Sequence, residues 1–117
     1  MALIAANTAR GKSAEFEVLK TALTGTDTLA YNPSLVQVLY LQNTDVTPQV
    51  VTIDGDAVTT VSLPGQGKPI NNAAGYAISV PAGAILAVTL ASIRNFLAGV
   101  VNVTGGDALM SAWIIEG

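Results

Sequence analysis

Val36-Gln37-Val38-Leu39-Tyr40-Leu41-Gln42, halted by Asn43-Thr44-Asp45 and resumed as Gln49-Val50-Val51-Thr52-Ile53, carries the fold assignment. β-Branched and aromatic residues favour a pleated, half-buried surface, and Asn, Thr and Asp in succession favour a turn. Asp54-Gly55 then predicts a hairpin into Ala57–Leu63, with Ala57, Thr59, Val61 and Leu63 on one face. Working outward, Tyr76–Val80 alternates with Tyr76, Ile78 and Val80 inward, and Pro81-Ala82-Gly83 turns it into Ala84–Ala91. There Leu86, Val88 and Leu90 alternate with smaller or polar neighbours. Asn95–Val103, with Phe96, Val100 and Val103, and Leu109–Ile115, with Trp113, are read as the last strands. Strands recurring at roughly eight to twelve residues predict a sandwich or barrel. The expectation is an all-β, antiparallel, jelly-roll-like β-sandwich of about eight strands. Its candidate core is Val38, Tyr40, Val61, Ile78, Val88, Phe96 and Trp113.

The upstream segment is less regular. Ser13–Leu23 fits a short helix with Phe16, Leu19 and Leu23 on one side. It also fits an edge strand with Phe16 and Val18 alternating against Glu15 and Glu17, which the β character of the rest favours. Residues 1–12 show no periodicity and read as an N-terminal arm before a single domain over 13–117. Leu3 and Ile4 are its candidate apolar anchors and Arg10 and Lys12 its candidate polar clamps. Deleting residues 2–12 is expected to leave a folded protein. Met1–Ala6 lacks the basic region of an export signal, and the longest apolar run, near Ala84–Leu90, is too short to cross a bilayer.

Composition narrows function. The 117 residues include no His and no Cys, and charged residues make up 11% where about 25% is usual. General acid–base work would fall to carboxylates, Lys or Tyr, and a nucleophile would lack an imidazole partner. The expectation is a protein that is not an enzyme, has no cofactor or metal, and binds no small-molecule substrate. Sparse charge over so small a domain suggests that other subunits cover part of its surface. Arg10, Lys12 and Lys20 against Glu15 and Glu17 give the first twenty residues a net +1. Lys68 and Arg94 against Asp27, Asp45, Asp54, Asp56, Asp107 and Glu116 give the rest −4, which provides no phosphate-tracking patch.

Local motifs add little chemistry. Asp54-Gly55-Asp56 could begin a calcium loop, but no further ligands follow at the required spacing. Gly65-Gln66-Gly67-Lys68 has Pro69 where a phosphate loop needs Ser or Thr. Asn102-Val103-Thr104 matches a glycosylation acceptor but falls at the end of a predicted strand. Trp113, Tyr31, Tyr40 and Tyr76 are either core residues or a sugar-stacking platform, and the alternation around Trp113 favours core. Arg94, after a long apolar strand and before Phe96, is either a candidate interfacial ion-pair partner or a snorkelling side chain.

The succession Thr24–Tyr31, Gln37–Asn43, Val51–Gly55, Val80–Gly83 and Val103–Gly106, closed by a short apolar strand, resembles a known family. It is similar to the jelly-roll-type capsid decoration, or cement, proteins of tailed double-stranded DNA bacteriophages. The likeness covers residues 24–117 and is one of order and style without a diagnostic motif. The resemblance implies a virion protein on the capsid exterior, made in the host cytoplasm and bound in many copies to the major capsid protein. It also implies a homodimer or homotrimer and no catalytic residue. The alternatives are a head-fibre base, a tail-associated β-domain or a carbohydrate-binding module.

Overall fold

A computed structural model describes residues 2–9, 15, 17–55, 60–61, 70–71, 75–97 and 99–117; for residues 60, 61, 70, 71 and 95 it describes the backbone. The strands are β1 (Ala6–Thr8), β2 (Thr21–Ala22), β3 (Gly25–Leu29), β4 (Gln37–Asn43), β5 (Gln49–Gly55), β6 (Thr60–Val61) and β7 (Ile70–Asn71). They are followed by β8 (Tyr76–Val80), β9 (Ile85–Thr89), β10 (Val101–Gly105) and β11 (Met110–Glu116). A 3-10 turn, η1 (Leu90–Phe96), joins β9 to β10.

Turn chemistry sets the strand ends. Asn43 closes β4: its Oδ1 accepts from Asp45 N at 2.9 Å, and its Nδ2 donates to the Thr47 and Val80 carbonyls. Gly83, at φ +72°, lets Ala84 N return to the Pro81 carbonyl between β8 and β9. Gly105 ends β10 at φ +87°, where a Cβ would collide with the Val50 carbonyl oxygen.

One sheet is ordered β11-β4-β9, with β1 and β2 placed end to end along the free edge of β11. The other is ordered β3-β10-β5-β8, and β6 and β7 form a separate ribbon. From β2 onward the main strands change sheet at every step except β5 to β8. Among the described residues every strand pairing is antiparallel except β1 with β11, and the single bridge of Leu3 to Thr28 is also parallel. This is the jelly roll, with eight main strands. Leu39, Leu41, Val51, Ile53, Val80, Val103, Met110 and Ile114 fill the space between the sheets. Among the described residues no helix is long and apolar enough to cross a membrane.

Several expectations are corrected. Residues 2–9 are built into the sandwich. Ile4 N donates to the Thr28 carbonyl, Leu3 bridges Thr28, and β1 pairs with β11. Ile4 is a core residue at 2% exposure, because strand alternation turns it inward as Leu3 turns out. Thr21–Ala22 is the part of 13–23 that is strand, and no helix forms among its described residues. Asp54 and Gly55 continue β5 opposite Asn102 and Val101, and β6 pairs with β7, so among the described residues the expected hairpin with β5 does not form. Where a strand was expected from Asn95, η1 runs to Phe96 and β10 begins at Val101, with Val100 exposed.

The core assignments divide. Ile78 is buried, and Val88 and Phe96 are half-buried against the core. Tyr76 ends its strand partly exposed, its ring 5.4 Å from that of Phe96. Val38, Tyr40 and Trp113 point away from the core, because Gln37, Leu39, Leu41 and Asn43 take the inner face of β4 and Met110, Ala112 and Ile114 that of β11. The side chain of Val61, with Arg10, Lys12, Phe16, Asp56 and the 64–69 loop, lies outside the described residues.

Candidate functional site

The outward residues of the larger sheet form rows fixed by strand register. Thr89, Val38 and Ile115 lie abreast, as do Ala87, Tyr40 and Trp113, and then Ile85, Gln42 and Ser111. Side chains directly opposite on neighbouring strands stand about 5 Å apart, so each row is a continuous contact. Six of these nine residues are apolar or aromatic, and Ile85 is 54% exposed. A row of this kind on a sheet's solvent side suits contact with another surface.

Tyr40 and Trp113 form its centre. Their rings stack with centroids 5.5 Å apart and planes 7° from parallel. From the far flank of β11, just before β2, Lys20 brings its Nζ to 5.5 Å from the Trp113 ring centroid and donates to Gln42 Oε1 at 3.1 Å. The two rings therefore stack face to face, with a cation against the indole. Stacking turns one face of each ring to the other, so they do not form two open platforms. What the surface offers is an apolar ridge with one tethered ammonium, and contact by shape and burial is its natural chemistry.

The residues singled out from sequence are scattered relative to this face. Leu3 is exposed beside β3 at the edge of the smaller sheet. Ile4 is inside, and Arg94 is exposed on η1. Trp113 and Tyr40 are brought together, although as surface neighbours. Lys20, Ile85, Ala87 and Ile115 were not anticipated as contact residues. The spacing Ser111-x-Trp113-x-Ile115 places those three on one side of a strand and was the available signal.

Among the described residues the acidic groups form no cluster larger than the pair Asp45 and Asp107, which both accept from Gln49 Nε2. Asp27, 1% exposed, accepts from Ala2 N, Thr24 N and Thr24 Oγ1 and holds the start of β3 to the N-terminal segment. Asp45 caps its own turn, and Glu116 accepts from Gln37 Nε2 and Thr8 Oγ1. Among the described residues no three His, Cys, Asp or Glu side chains gather as a metal site. Compared with protein-family models, curated proteins and solved structures, the chain matches none.

Proposed function

We propose that this chain is a non-enzymatic virion structural protein that binds the exterior of a tailed-phage capsid in many copies and cements the shell. The observation that carries the reading is the apolar ridge of Val38, Tyr40, Trp113 and Ile115 on the solvent side of a jelly roll. A cement protein acts by area and stiffness. A specific contact buries about 1,600 Å² in total, and a ridge poor in charge is cheap to dehydrate. The partner is the major capsid protein, and the jelly-roll resemblance over residues 24–117 supports that choice.

Co-sedimentation with expanded capsids of the parent phage, stripped of this protein, tests the reading. Saturable binding at a fixed ratio to the shell protein is expected, and Trp113→Ser should lower occupancy without unfolding the domain. No binding to any shell form would overturn it. A carbohydrate-binding role draws on the same outward Trp113 and Tyr40. It requires a sugar to displace Lys20 from the indole, and would show as a glycan-dependent change in Trp113 fluorescence.

A further inference from the structure

Among the described residues one flank of the sandwich is finished and the other is not. On the first, Ala2–Ile4 pairs with β3, β1 and β2 cover β11, and Ile4 and Leu23 plug the gap between the sheets. On the second, β8 borders β5 and β9 borders β4, and among the described residues no strand lies beyond either. Leu86 and Val88 turn toward the core from β9, yet both stay half-exposed.

The backbone of β9 is set for pairing. Asn43 N donates to the Ala84 carbonyl, which fixes the antiparallel ladder. Leu86 and Val88 bond to Leu41 and Leu39, while Ile85, Ala87 and Thr89 turn their N–H and C=O groups away from β4. Edge strands are ordinarily blunted by Lys, Pro or a bulge. β9 has none of these: its register is unbroken from Ile85 to Thr89, and the sequence from Pro69 to Ile93 contains no charged residue.

We propose that β9 pairs antiparallel with β9 of a second copy, about a twofold axis at Ala87, so that the larger sheet runs on across a dimer. At an isologous contact a residue near the axis meets itself, so any charge there meets its like. A charge-free edge is therefore what self-pairing needs, whereas an unlike partner is commonly selected by complementary charge. The register agrees. Centring on Ala87 sets its outward N–H and C=O against their own copies and Ile85 against Thr89 of the second copy. It also sets half-exposed Leu86 against Val88 of that copy, which closes the open flank with apolar surface.

The dimer is independent of the capsid reading, and shell binding can fail without touching it. Light scattering and amide hydrogen exchange on the full chain test it. The wild type should be a dimer with slow exchange at the Ile85 and Ala87 amides. Ala87→Lys, at an exposed position, should weaken dimerisation at least about tenfold with the circular dichroism spectrum unchanged. Ala87→Pro removes the central donor and should do the same. If the proline variant fails to fold, the lysine variant carries the test. A monomeric wild type, a dimer whose Ile85 and Ala87 amides exchange freely, or an Ala87→Lys dimer of undiminished affinity would each overturn the proposal. So would protection of these amides that appears only when stripped shells are added, which would give the edge to the shell protein.

Discussion

Asn7 shows how one side chain substitutes for a strand. Its Nδ2 donates to the Leu19 and Ile114 carbonyls at 3.1 and 3.2 Å, and its Oδ1 accepts from Leu19 N at 2.9 Å. An amide presents the same donor–acceptor pair as a peptide unit, so Asn7 ties the 17–20 segment to β1 as a neighbouring strand would. Asn7→Ala strands these backbone groups and is expected to cost about 1–3 kcal/mol. A lower urea midpoint with faster hydrogen exchange at Leu19 would register it; an unchanged midpoint would deny Asn7 this role. Nothing in the sequence marks Asn7 for the task. A polar residue in an aperiodic stretch reads as solvated, and one of its partners lies 107 residues away. The same holds for Gln37, buried because Asn32 N, the Ala30 carbonyl and Glu116 satisfy its amide.

Elements were legible where one face is apolar and the other is not. Tyr76–Val80 was found to the residue, and β5, β9 and β11 within a few residues. The faces of β4 were not legible, because Val38 and Tyr40 compete with Leu39 and Leu41, and the inward end residues, Gln37 and Asn43, are polar. Replacement by Ala checks the assignment. Leu39→Ala should cost about 2–5 kcal/mol, and Val38→Ala under about 1 kcal/mol, since Val38 is only part-buried on the outside. Equal losses in chemical denaturation would contradict it. In β11 small Ala112 faces in and large Trp113 faces out, which reverses the size rule because Tyr40 provides an outer partner. The spacing of Leu90, Ile93, Phe96 and Leu97, close to three residues per turn, was the overlooked sign of η1. Asp54-Gly55 misled because β10 pairs with both residues and carries the ladder past the expected turn. The aromatic ridge was only half legible: its residues were noted, but their meeting depends on the register of β4 with β11.

At the scale of the whole molecule the N-terminal residues are structural. They pair first with β3 and then with β11, so one short segment ties the two sheets together. Removing residues 2–8 deletes Ile4, Asn7 and the cover over β3 and β11. The expected outcome is loss of a cooperative thermal transition, followed by circular dichroism. A sharp transition at the wild-type temperature would restore the view of this segment as a detachable arm. The adjacency of β1 and β11 also bears on how the molecule is made. β1 is held by residues 19–28 through side-chain and flanking backbone bonds, but its strand partner, β11, lies about a hundred residues further along the sequence. Such a topology folds slowly for its size. Closure of the larger sheet on its β1 side therefore waits for β11, and until then β1 rests on its ties to residues 19–28 alone.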